Sequence, residues 1–207
     1  MINGEFMGQK EREIIYKTFS KLCYYPDEEL AGLLKNGVIT EFLMSLDPEN
    51  KEIQKLEEWV DSFNSTEKLL EELQVEYTSL FITNFPSVPA PMFKSYYFEN
   101  EILGESTEKI MDIYEQYNFK VSDLMKEPAD HLAILLEFIY RIIQIDNTYY
   151  FQIKFIKDEI LSWMTPFKES VDSASTNVFY PTTIETIINY LKNEVTQYET
   201  KFAGAEL

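Results

Sequence analysis

The chain has one histidine, His131, and it stands in the run Glu127-Pro128-Ala129-Asp130-His131, beside two carboxylates. Side chains of these types can move protons, ligate a metal or bind a cation. Glu127 and His131 are four apart, so on one helix they would share a face and resemble half of a carboxylate-bridged di-iron site. That chemistry needs a second such motif, which a chain with a single histidine cannot supply. Zinc sites of the usual Cys/His kind fail for the same reason. A nucleophilic pair of Cys23 and His131 is arithmetically possible. However, Cys23 falls in an apolar stripe with Ile15, Phe19 and Leu22, where nothing nearby lowers its pKa. No Gly-rich phosphate loop and no Gly-x-Ser-x-Gly element occurs. The expectation is no catalytic residue, no metal and no cofactor. Two readings of the run remain. Pro at a first helical position with flanking carboxylates is an ordinary helix start, but that leaves His131 where a cation is disfavoured. The other reading is a recognition site.

The elements that would position this run are helical. Apolar residues recur at three and four almost throughout. Ile53, Leu56, Val60 and Phe63 form one stripe, with Asp47-Pro48 as its N-cap and first-turn pair. Leu69, Leu73, Tyr77, Leu80 and Phe81 form a second, and Ile110, Ile113, Tyr114 and Tyr117 a third after Gly104-Glu105-Ser106. Residues from Pro128 to about Ile145 are apolar nearly all round, which predicts the buried central helix. A helix over about 151–164 follows, and a long stripe from Ile184 to Phe202 opens at Pro181. Residues 170–177 read as a plain surface connection. Residues 84–100 pack three prolines and five aromatics into a stretch read as non-helical, either flat on the core or a recognition surface. No strand alternation competes. The fold class predicted is all-α, one helical-bundle domain over residues 1–207 with a Pro/aromatic loop at about 84–100.

Charge narrows the partners. There are 18 basic and 36 acidic residues, a formal net charge of -18. Nucleic acid is excluded by the lack of a basic face, and an anionic membrane surface by repulsion. A basic partner would be drawn in, although acidity also serves plain solubility. One cysteine excludes an internal disulfide framework and suits a reducing compartment. With neither a secretory signature nor an apolar run long enough to span a bilayer, the expectation is a soluble, cytoplasmic protein.

Several elements recur in a fixed order: Tyr77-x-x-Leu80-Phe81, then Pro89-Ala90-Pro91-Met92-Phe93-Lys94-Ser95-Tyr96-Tyr97, a helix near Gly104-Glu105-Ser106-Thr107, and Glu127-Pro128-Ala129-Asp130-His131. Phe155, Leu161, Trp163, Pro166, Phe167 and the pair Phe179-Tyr180 come after them. This ordered set resembles the TorD/DmsD/NarJ family of redox-enzyme maturation chaperones, over about residues 76–180. The chain departs from that pattern at Met92 and Phe93, where the family often has Pro and Trp or Tyr. It also departs at Lys94, which puts a positive charge beside a proposed cation site.

The resemblance implies a cytoplasmic, all-helical, non-enzymatic TorD-like bundle. Such a protein binds the twin-arginine signal peptide of the apo catalytic subunit of a molybdenum or tungsten oxidoreductase. It holds that subunit until the molybdopterin cofactor is in place, as a monomer or domain-swapped dimer. The peptide-binding residues implied are Tyr77, Leu80, Phe81, Pro91, Phe93, Ser95, Tyr97, Glu127, Pro128, Asp130 and His131. Glu127 and Asp130 would take the guanidinium groups, the aromatic residues would line an apolar groove, and His131 would orient Asp130 or stack on the peptide. The alternative is an acidic helical adaptor that binds a folded partner and ignores signal peptides.

Overall fold

The computed structural model describes residues 8–84, 87–120, 127–145 and 148–202. In chain order the helices are α1 (Gln9–Leu22), α2 (Glu28–Lys35), α3 (Val38–Leu46), α4 (Glu52–Asp61), α5 (Thr66–Tyr77), α6 (Lys94–Glu99), α7 (Glu105–Gln116), α8 (Leu132–Ile142), α9 (Tyr149–Phe155), α10 (Ser162–Ala174) and α11 (Phe179–Phe202). Wider π-helical turns extend α5 (Thr78–Ile82) and join α9 to α10 (Ile156–Leu161). No strand occurs among the described residues, only an isolated antiparallel bridge between Phe93 and His131. The chain divides into two compact units. One comprises the chain up to Cys23, Phe93–Trp163 and the chain from Leu191, and the other comprises Tyr24–Met92 and Met164–Tyr190.

The first unit is built on α8. Leu132, Ala133, Ile134, Leu135, Leu136, Phe138, Ile139 and Ile142 are all buried, so this helix is enclosed on nearly every side, as its composition predicts. Helix α1 packs along it, and Ser20 Oγ donates to the Ala133 carbonyl at 2.8 Å. A buried charge cluster ties α1 to α11. Arg12 Nε donates to Glu194 Oε1, Tyr16 OH donates to Glu194 Oε2, and the Tyr149 ring lies 4.6 Å from the guanidinium carbon. Each charge there is neutralised within the cluster, the condition for burying it.

The second unit centres on α5, which packs on α2. The π-turn after Tyr77 directs Leu80 and Phe81 inward, where the Phe81 ring meets Tyr77 at 5.0 Å, Tyr180 at 4.9 Å and Phe167 at 6.3 Å. These edge-on and tilted contacts are favoured arrangements for aromatic quadrupoles. Buried Glu76 accepts hydrogen bonds from Thr176 N (2.8 Å) and Thr176 Oγ1 and so fixes the start of α11.

Four local expectations are corrected. Asp47 ends α3 rather than capping α4, and Asn50 Oδ1 instead accepts from Glu52 N at 3.0 Å. Residues 84–100 are not wholly non-helical, because α6 begins at Lys94, just past the last proline. Phe85 and Pro86 of that stretch lie outside the described residues. Helix α10 does not stop near Met164 but runs through Pro166 to Ala174, taking in part of the polar connection expected at 170–177. Just upstream, side chains satisfy carbonyls at the π-turn: Ser162 Oγ donates to Asp158 O (2.8 Å) and Trp163 Nε1 to Glu159 O (2.9 Å). Finally, α8 starts not at Pro128 but after His131.

Candidate functional site

The run from Glu127 to His131 is a structural hub of the first unit. Helix α6 is short and its N-cap, Phe93, has no side-chain acceptor, so its first N–H groups need a partner from elsewhere. Asp130 supplies it. Its Oδ2 accepts from Ser95 N at 2.8 Å, its backbone carbonyl from Lys94 N at 3.3 Å, and its Oδ1 from Thr107 Oγ1 of α7 at 2.9 Å. Tyr114 OH closes the same region by donating to the Ala129 carbonyl at 2.9 Å. A second carboxylate repeats the device, since Glu99 Oε1 accepts from Ser106 N at 3.0 Å and from Ser106 Oγ at the start of α7. Two acids thus cap two helices in sequence, each complementing the positive end of a helix.

His131 has the role that the helix-start reading could not give it. It is the N-cap of α8, with Nδ1 accepting from Ala133 N at 3.2 Å, and its ring lies 5.2 Å from Phe93 in an edge-on contact. At 2% exposure its cationic form is unsolvated, and burial lowers its pKa to about 3. A neutral imidazole is an acceptor and suits the positive helix terminus, whereas an imidazolium would not.

The remaining predicted residues fall into three environments. Asp130, at 0% exposure, has both carboxylate oxygens engaged inside the unit, and Ser95 and Phe93 are buried with it. Tyr77, Leu80 and Phe81 sit in the aromatic cluster of the second unit, where Pro91 is also buried and Ala90 N donates to Leu80 O at 3.0 Å. At the surface are Glu127, half-buried Pro128 and half-buried Tyr97, whose ring stacks on Trp163 at 5.4 Å. Partial loss of hydration raises the Glu127 pKa, and no cation pairs with it among the described residues. The Lys94 ammonium is directed to Glu159. The residue is buried against the π-turn, where that carboxylate neutralises it.

Sequence reasoning missed Glu99, Thr107 and Glu76, whose partners lie 7, 23 and 100 residues away. No periodicity encodes such pairings. Cys23 is fully buried and its thiol pKa is raised by burial, so the thiolate that nucleophilic chemistry needs is suppressed. Among the described residues, no group of three or more His, Cys, Asp and Glu is placed to hold a metal ion. No described helix is long and apolar enough to cross a membrane.

Comparison with known proteins gives this architecture its class. A crystal structure described as that of a redox enzyme maturation protein from Archaeoglobus fulgidus matches with a TM-score of 0.60 and 25% identity, covering 93% of this chain and 99% of that one. The molecule is an all-α chaperone of the TorD-like, redox-enzyme maturation type, and its relatives are named as chaperones and maturation proteins rather than as enzymes. The TorD chaperone of Actinobacillus pleuropneumoniae serotype 3 (strain JL03) is 22% identical over 203 residues, spanning 95% of this chain and all of that protein. The TorD chaperone of Histophilus somni (strain 129Pt) is 28% identical over 121 residues, 58% of this chain and 62% of its own. The model of the nitrate reductase delta subunit family matches residues 45–169, and the chain belongs to that family.

Proposed function

We propose that this chaperone acts in the cytoplasm by binding the twin-arginine signal peptide, or N-terminal region, of a molybdopterin oxidoreductase catalytic subunit. It holds that subunit until cofactor insertion and assembly. The observation that carries the reading is Glu127: a surface carboxylate, partly stripped of water, with no cationic partner among the described residues. A guanidinium is the group that relieves such a carboxylate, and it does so in a bidentate geometry that lysine lacks. The aromatic face of Tyr97, held by its stack on Trp163, offers apolar surface within the same unit. Asp130, Ser95, Thr107 and His131 serve as positioning residues that hold α6 and the start of α8. Asp130 is thereby moved from the arginine-contacting role the resemblance implied, because a guanidinium reaching it would have to displace two internal hydrogen bonds.

The test is titration with a twin-arginine peptide and with its twin-lysine counterpart, for wild type and Glu127→Gln. Wild type should prefer arginine, and Glu127→Gln should weaken arginine binding about tenfold, roughly 1.4 kcal/mol, without lowering thermal stability. Equal affinity for the two peptides would sink the guanidinium role. Binding to the mature oxidoreductase with indifference to either peptide would favour a folded-partner adaptor instead.

A further inference from the structure

The last turn of α6 and its connection to α7 carry three exposed apolar side chains within six residues: Phe98 (56% exposed), Ile102 (48%) and Leu103 (67%). Single exposed apolar residues are ordinary on any protein and occur here on several helices, but three within six residues are not. Leu103 is the sharper anomaly. Its backbone is left-handed, with φ of 69°. The other described residues with positive φ are Asn100, Asn118 and Gly37, the types that tolerate this region. A leucine there is strained by its Cβ and branched side chain, and at 67% exposure it gains little from packing in return. Neither backbone preference nor burial in the free protein accounts for leucine at this position.

The turn is also held in shape. Glu99 binds Ser106 N and Oγ, which fixes the far side of the turn to the start of α7. Gly104 has no room for a side chain, since a Cβ there would lie 1.8 Å from Glu99 Oε2. The apolar tip is therefore preorganised, and a ligand docking on it loses little entropy to ordering. Its rim is acidic. Glu101, Glu105 and Glu108 are exposed; of the nearby cations, Lys109 lies 3.8 Å from Glu105, and Lys94, 5.2 Å from the centre of the Phe98 ring, is neutralised by Glu159. The chemistry that fits is a segment whose apolar side chains are accompanied by arginine.

We propose that Leu103, with Phe98 and Ile102, is the seat for the apolar stretch of the client's twin-arginine segment, with Glu101, Glu105 and Glu108 facing its basic part. This rests on the signal-peptide reading above and adds the surface that takes the apolar half of the ligand. Leu103→Asn is the informative variant because asparagine suits a left-handed backbone. It should leave the melting temperature unchanged or raised while weakening a twin-arginine peptide at least tenfold. Those opposite signs are not expected of a residue with only a structural role. Ile102→Ser should weaken the peptide likewise, and Tyr150→Ser, at another exposed aromatic (58%) on α9, should not.

If wild type binds the peptide and both Leu103→Asn and Ile102→Ser bind it equally well, the seat is overturned while the signal-peptide reading stands. If wild type takes no peptide, that reading falls and the seat with it. Sedimentation of the same proteins covers the other occupant. Self-association abolished by Leu103→Asn, with peptide affinity unchanged, would make the turn a contact between copies and overturn the proposal.

Discussion

A histidine used as a helix cap has to stay neutral, and the fold holds His131 neutral by burying it. Its pKa is about 3 in the folded chain, against an ordinary value near 6.5 in the unfolded one. Between these values the unfolded state binds a proton that the folded state refuses. The stability that rests on neutral His131 is therefore complete above about pH 6.5 and is lost as pH falls toward 3, at about 1.4 kcal/mol per pH unit. Asparagine offers an acceptor to Ala133 N without titrating. Denaturant unfolding at pH 7 and pH 5 should show wild type losing about 2 kcal/mol more than His131→Asn over that interval. Equal losses would mean that His131 is protonated in the fold and that the cap is not its role. The motif around His131 was legible from sequence, as was its place at a helix start. The division of labour inside it was not. Glu127 and Asp130 are chemically alike and three residues apart, yet one is at the surface and the other is enclosed by Ser95 and Thr107. Only the path of the chain, which brings α6 and α7 to Asp130, separates a candidate ligand contact from a cap.

Helices were the readable level because a buried stripe repeats over several turns, and one misplaced residue does not erase it. The all-round apolar α8 and the stripe of α5 follow directly from such repeats. The π-turns at Thr78–Ile82 and Ile156–Leu161 were not readable, since a change of pitch over a single turn barely shifts the apolar pattern. Helix α10 continues through Pro166, and α6 shows a short helix made possible by a borrowed cap. Two glycines separate element-level effects cleanly. A Cβ on Gly104 collides with the Glu99 carboxylate, which can swing aside only by releasing the start of α7. Gly104→Ala should therefore cost about 1–2 kcal/mol, the worth of a lost cap. In a Glu99→Ala background, where that cap is already gone, the same change should cost little, a coupling that a double-mutant cycle measures. Gly32 lies within α2 with nothing within 4 Å of a Cβ, so Gly32→Ala should gain about 0.5–1 kcal/mol in the same unfolding assay.

At the scale of the whole molecule the dominant property is charge: 36 acidic residues against 18 basic, a formal net of -18. Part of this is absorbed internally. Glu76, Glu99, Asp130 and Glu194 cap helices or neutralise an arginine, and Glu159 answers Lys94. The excess lies outside, and two accounts of it make different kinetic predictions. If it only keeps a helical, aromatic-rich chain dispersed, peptide association should be indifferent to salt. If it steers a basic segment, the field acts on the encounter rather than on the finished contact. The field reaches about 10 Å at roughly 0.1 M salt and about 3 Å at 1 M. Stopped-flow association of a twin-arginine peptide should then slow by about tenfold or more between low and high salt. Dissociation, governed by short-range contacts such as those proposed for Glu127 and Leu103, should change far less. A flat association rate would leave the charge as a solubility device. A fall carried mainly by faster dissociation would place the salt sensitivity in the bound contacts themselves, and Glu127→Gln would then abolish most of it.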